Sequence, residues 1–115
     1  MMARARQGRL GGLFAVALAM LSLPAESAEP LSPAAQRGLA FVRLHCATCH
    51  AIGRADASPL RIAPPFRTLH LKYPVESLAE ALAEGIVTGH PTMPEFQLDP
   101  GQVGDVISYL KSLER

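Results

Sequence analysis

Apolar positions recur at helical spacing in three stretches of this chain, and nowhere do they alternate as in a half-buried strand. The clearest stretch is C-terminal, where Val103, Val106, Ile107, Leu110 and Leu113 follow at i, i+3, i+4, i+7 and i+10. Asp99 stands at the cap position before it, Pro100 takes the first helical position, and Gln102 completes a capping box. An earlier helix is predicted to open at Ser32-Pro33, again a cap followed by proline, and to run through Leu44. Ala34, Gly38, Phe41 and Leu44 recur on it three or four residues apart. Between these two, residues 74–84 carry Val75, Leu78 and Leu82 as one stripe, with Gly85 placed to end the helix. The pattern predicts an all-α domain of three main helices.

Two irregular stretches separate the helices. Residues 51–73 hold prolines at 59, 64 and 65 and keep no period, which predicts a long ordered loop. A loop of that length inside a small domain needs something to organise it. The second stretch, Gly89-His90-Pro91-Thr92-Met93-Pro94, has proline on both sides of a methionine, which forbids regular helix and stiffens the backbone.

The N-terminus is of a different kind. Arg4, Arg6 and Arg9 precede an apolar run from Leu10 to Leu23, and Pro-Ala-Glu-Ser-Ala follows at 24–28. This is the order of a cleavable secretory signal, with the break expected after Ser27 or Ala28. The rival reading is an uncleaved membrane anchor, but crossing the hydrocarbon core takes about 20 apolar residues, and this run is shorter. The expected division is therefore a signal peptide at 1–28 and one domain at 29–115, facing the periplasm in a Gram-negative cell. Taking Arg4, Arg6, Arg9 and Glu26 away from 11 basic and 10 acidic residues leaves eight against nine. A near-neutral domain without a basic stripe excludes nucleic-acid binding.

The chemistry is concentrated at Cys46-Ala47-Thr48-Cys49-His50, which uses both cysteines of the chain. C-x-x-C-H is the attachment pattern of a covalent haem: two thiols add to the two vinyl groups, and the histidine after them can ligate the iron. Met93 is the only methionine of the chain outside the leader, and its thioether is the expected sixth ligand. His70 and His90 compete for that role, and a bis-histidine site would have a lower potential. A domain of about 87 residues also needs a staple, which a buried haem would supply. Other readings of the cysteines demand more. Zinc would require two further ligands, drawn from His50 with His70 or His90. A dithiol redox site would require a strand–helix–strand setting, which the pattern lacks.

With these residues in view, the chain resembles the class I c-type cytochromes, in their short, soluble bacterial form, over about residues 32–113. The resemblance rests on the helix ending in Cys46–His50, on Ala63-Pro64-Pro65-Phe66, on Thr92-Met93-Pro94 and on the helix Asp105-Val-Ile-Ser-Tyr-Leu-Lys. It implies a cytochrome c-like fold, with helices and ordered loops wrapped around one covalent haem c. It further implies that the terminal helices cross where Gly38 meets Tyr109, and that the Pro64 carbonyl accepts the ring N–H of His50. Alanine precedes Pro64 where glycine is common, and Phe41 lies one position from the usual first-helix aromatic. Ile52, Phe66, Leu69 and Ile86 are candidate haem walls; Arg54, Arg61, Arg67 and Lys72 are candidate partners for a propionate. His45 is expected to face solvent.

The functional expectation is a periplasmic one-electron carrier, not an enzyme, with haem c joined through Cys46 and Cys49 and iron held by His50 and Met93. Its partners would be redox proteins met transiently, with no small-molecule substrate, and electrons would pass near the cysteine-bearing rim. Three alternatives stay open: a dedicated haem subunit of a periplasmic dehydrogenase or oxidase, a haem peroxidase or gas sensor with a labile sixth ligand, and a zinc or dithiol protein.

Overall fold

The structure is a computed structural model, and it describes residue 25 and residues 28–85 and 92–115. Nearly all of the expected leader lies outside these residues, as do Ile86, Gly89, His90 and Pro91. Three α-helices form: α1 (Pro33–His45), α2 (Leu78–Glu84) and α3 (Pro100–Ser112). No strand occurs among the described residues, so the fold is all-α. No helix among them is long and apolar enough to cross a membrane.

The sequence signals at the helix ends act as expected. The Ser32 hydroxyl accepts from the Ala35 N–H at 3.1 Å, and Pro33 occupies the first turn, where a missing N–H costs nothing. At α3 the Asp99 carboxylate accepts from the Gln102 N–H at 2.9 Å. The Gln102 side chain accepts in turn from the Asp99 N–H at 3.2 Å, closing the capping box. Gly85 ends α2 in the left-handed region at φ 80°, a conformation open to glycine at little cost.

Three details depart from the sequence reading. The stretch expected to be loop contains a 3-10 helix at Phe66–Leu71. The predicted helix over 74–84 begins as a 3-10 turn at Val75–Ser77 and becomes α-helical only at Leu78. The buried face of α1 is also offset from the expected stripe. Ala35, Gly38 and Val42 are its buried residues, whereas Leu44 is 78% exposed. The face is chosen by α3, on which α1 packs most extensively.

That packing turns on Gly38. A Cβ placed there would lie 2.0 Å from the carbonyl oxygen of Asp105 and 2.9 Å from the Cβ of Tyr109. Only a residue without a side chain lets the two backbones approach this closely. Beside the crossing, Arg37 grips Asp105 through both carboxylate oxygens, at 2.7 and 2.8 Å. Val42, Val106, Tyr109, Leu110 and Leu113 form the core behind the crossing, joined by Leu69 and Val75 from the 3-10 segments.

Candidate haem site

α1 delivers the cysteine motif directly after its last residue, with Cys46 as its C-cap. The helix hydrogen-bond pattern runs on through Cys46 N–H to Val42 C=O at 2.8 Å and His50 N–H to Cys46 C=O at 2.9 Å. Cys46 and Cys49 are therefore three apart on one helical turn, a spacing that sets side chains on a common face. Both thiols are free and half-buried.

The loop that follows is folded back on the motif by three contacts. Leu60 N–H donates to Cys49 C=O at 3.1 Å, and Phe66 N–H donates to Ala51 C=O at 2.9 Å. Between them the Nδ1 of His50 lies 2.8 Å from the carbonyl oxygen of Pro64. A carbonyl can only accept, so Nδ1 carries the proton and Nε2 keeps its lone pair. Nε2 is buried. The Phe66 ring packs at 4.8 Å from the imidazole, tilted 40°, and holds its other flank.

His50 and Cys46 line a cavity of about 600 Å³, and Met93 and Pro94 line it from the far end of the chain. Its volume falls within the roughly 300–1,000 Å³ of cofactor and small-molecule sites. The walls are apolar: Val42 and Phe41 from α1, Leu69 from the 3-10 helix, Leu82 from α2, and Val106 and Leu110 from α3. A smaller cavity of about 290 Å³ adjoins it, lined by both cysteines, Thr48, His45 and Phe96. The two share Cys46, His50, Phe66, Met93, Pro94 and Phe96, which places the cysteine rim at their junction.

An apolar space bounded by two thiols, one imidazole with a fixed tautomer and one thioether is a donor set that suits haem. It suits the other metal reading poorly. Among the described residues no group of three or more His, Cys, Asp and Glu side chains is placed to hold an ion. Burial, and to a lesser degree the neighbouring Cys49, push the Cys46 thiol up to about 11. Reactive dithiols work as thiolates and sit where the thiol is easily ionised, which is the opposite condition.

Of the residues singled out from sequence, Cys46, Cys49, His50, Pro64 and Met93 all meet at these cavities. Phe66 and Leu69 are walls, as expected; Ile52 is not, and packs on the core instead, while Ile86 lies outside the described residues. The cations separate. Arg54 donates to the carbonyls of Ser112 and Arg115 at 2.5 Å each, and Arg67 donates to that of Asp56 at 2.6 Å. Neither they nor Arg61 line either of these two cavities, whereas Lys72 lines the larger. His70 does not line either cavity, and His90 lies outside the described residues. His45 is exposed, as expected, but its ring packs 4.4 Å from Phe41 and 6.0 Å, edge-on, from Phe96. Sequence reasoning missed Phe96 and Tyr73. The first was findable three residues after Met93; the second had no periodic signal.

Comparison with known proteins agrees with this chemistry. Cytochrome c-552 of Bradyrhizobium diazoefficiens is 29% identical over 94 residues, covering 82% of this chain and 88% of that protein. No solved structure matches the chain. The family model described as Cytochrome c matches residues 35–114, from the first turn of α1 to the end of α3. The chain belongs to the cytochrome c family, and is a haem-based electron-transfer protein with haem c joined to Cys46 and Cys49.

Proposed function

We propose that the protein is a monohaem electron carrier of the bacterial periplasm, exported by a signal peptide at residues 1–28, with His50 and Met93 as the axial ligands. One observation carries the ligand assignment. His50 and Met93, 43 residues apart in the chain, line the same apolar cavity beside the cysteine rim. When bound, the haem supplies a single Fe(III)/Fe(II) couple.

The residues of the chain do the rest. The Pro64 carbonyl, at 2.8 Å from Nδ1, fixes the proton on that nitrogen and leaves Nε2 to face a metal. The ordering of His50 by Phe66 and Pro64 limits rearrangement on electron transfer. Met93 would offer its sulfur from a stretch whose sequence has proline two residues before it and directly after it, and a thioether ligand would raise the potential. The apolar walls exclude water, which acts in the same direction. With His50 and Met93 both holding the iron, no place would remain for a substrate, so the reading is of a carrier and not an enzyme. Similarity to a protein named cytochrome c-552 supports the same role. Partners are redox proteins that dock transiently near the cysteine rim, since a shuttle must leave as readily as it arrives.

The deciding experiment is the visible spectrum of the mature holoprotein, oxidised and reduced, with mass analysis of its N-terminus. Expected are the weak long-wavelength band of an iron–thioether bond, indifference of the ferrous form to carbon monoxide, and a chain beginning at Ala28 or Glu29. Ready binding of carbon monoxide would sink the axial pair and return the protein to the sensor or peroxidase readings.

A further inference from the structure

The large cavity is apolar along most of its wall but polar at one edge. Lys72, Tyr73 and Ser77 line it there, in the short stretch between the 3-10 helix Phe66–Leu71 and α2. Among the described residues lining this cavity, Lys72 is the one lysine, arginine or carboxylate. None of the three lines the smaller cavity, which holds Cys49 and shares Cys46 with the large one, so the polar edge belongs to the part of the large cavity that the two do not share.

Haem has a matching asymmetry. The vinyl groups that become thioethers lie towards one side of the macrocycle, and its two carboxylates lie on the side away from them. With the former side fixed at Cys46 and Cys49, the carboxylates must reach the other end of the cavity. A carboxylate in an apolar wall is costly unless a cation or hydrogen-bond donors meet it. We propose that Lys72, with the hydroxyls of Tyr73 and Ser77, receives the carboxylate edge of the haem, and that Lys72 is the counter-charge that helps set its potential.

Five other cations support the assignment by their commitments elsewhere, and Arg43 and Arg61 line neither cavity. Arg54 caps the end of α3, Arg67 holds the Asp56 carbonyl, and Arg37, Lys111 and Arg115 are paired with Asp105, Glu76 and Glu29. Lys72 takes part in none of these ion pairs. It is exposed and Tyr73 is 38% exposed, so this edge is also where water can share in solvating a carboxylate. A positive charge close to the haem disfavours the ferric form relative to the ferrous one, because oxidation adds one more positive charge.

The inference rests on haem being attached, not on the identity of its axial ligands, and its test separates the two. In the reduced, diamagnetic holoprotein, the propionate methylene protons should show through-space NMR cross-peaks to side-chain protons of Lys72, Tyr73 or Ser77. Lys72→Gln should lower the midpoint potential while keeping the thioether band, Lys72→Arg should restore it, and Arg61→Gln, a charge loss outside the cavity, should leave it in place. Cross-peaks to other segments only, an unchanged midpoint in Lys72→Gln, or an equal fall in Arg61→Gln would each overturn the assignment. Loss of the band in the unmutated protein would instead be a failure of the axial pair.

Discussion

The hydroxyl of Tyr109 donates to the carbonyl of Ile52 at 2.5 Å, joining the last turn of α3 to the second residue after His50. Tyr109 is 4% exposed, and burial raises the pKa of its phenol, so the hydroxyl stays a neutral donor throughout the ordinary pH range. Arg54 makes a parallel tie, from the same segment to the carbonyls at the end of α3. The segment behind the haem motif is thus held by the helix that also walls the cavity. Stability of the domain and placement of His50 share these contacts.

Tyr109→Phe should therefore cost about 1–2 kcal/mol, since it removes a donor and leaves a half-buried carbonyl without it. Guanidinium unfolding of the ferric holoprotein would measure it. An unfolding midpoint equal to that of the parent would mean that water replaces the hydroxyl.

Gly38→Ala should be destabilising although alanine is the better helix former. The added Cβ would stand 2.0 Å from the Asp105 carbonyl, so α1 and α3 must separate at their crossing. Overpacking of a tight interface costs about 1–3 kcal/mol, more than the propensity gain of up to about 1 kcal/mol. Gly104→Ala is the contrasting case, because its Cβ would meet nothing within 4 Å. Comparing the two variants by thermal unfolding isolates the crossing; equal stabilities would show that the helices yield without cost.

The elements legible in the sequence were those written in local chemistry. Ser32, Asp99, Pro100, Gln102 and Gly85 mark helix ends through contacts made within a few residues, and each acts as its type implies. The haem motif is equally local. What was not legible depends on distant neighbours. Which face of α1 is buried is decided by α3, so Leu44, apolar and in register with Phe41, nevertheless points to solvent. The 3-10 helix at Phe66–Leu71 opens immediately after two prolines and is too short for a period to stand out. Its hydrogen bonds include Thr68 Oγ1 to Pro65 C=O at 2.8 Å, a side-chain contact that no pattern of apolar residues announces. Of the four cations of the loop region, only folding shows that Arg54 and Arg67 are spent on backbone carbonyls and that Lys72 reaches the cavity.

Acid should loosen the helix crossing before it affects the core. The hydrogen bonds from Arg37, and less its charge, hold the Asp105 carboxyl below the usual carboxylate range. A carboxyl lowered in the folded state contributes stability that is complete above its unfolded value and is lost as pH falls through the folded one. Unfolding measured from neutral pH downward should show Asp105→Asn less sensitive to acid than the parent. Glu76, lowered by its hydrogen bond from Lys111, contributes in the same direction. Parallel acid profiles for the parent and Asp105→Asn would assign the loss to other carboxylates.

Met93→His separates attachment of the haem from tuning of its iron. Cys46 and Cys49 hold the cofactor covalently, so the variant should mature with its haem in place. Imidazole stabilises ferric iron relative to a thioether, and the midpoint potential should drop while the long-wavelength band disappears. Met93→Ala should also lose the band, but it opens the sixth position, and its ferrous form should bind carbon monoxide. The two variants thus predict opposite responses to the gas, with the same loss of the thioether signature. A midpoint unchanged in Met93→His, or a band that survives both substitutions, would show that the sulfur opposite His50 is not the one this cavity receives from Met93.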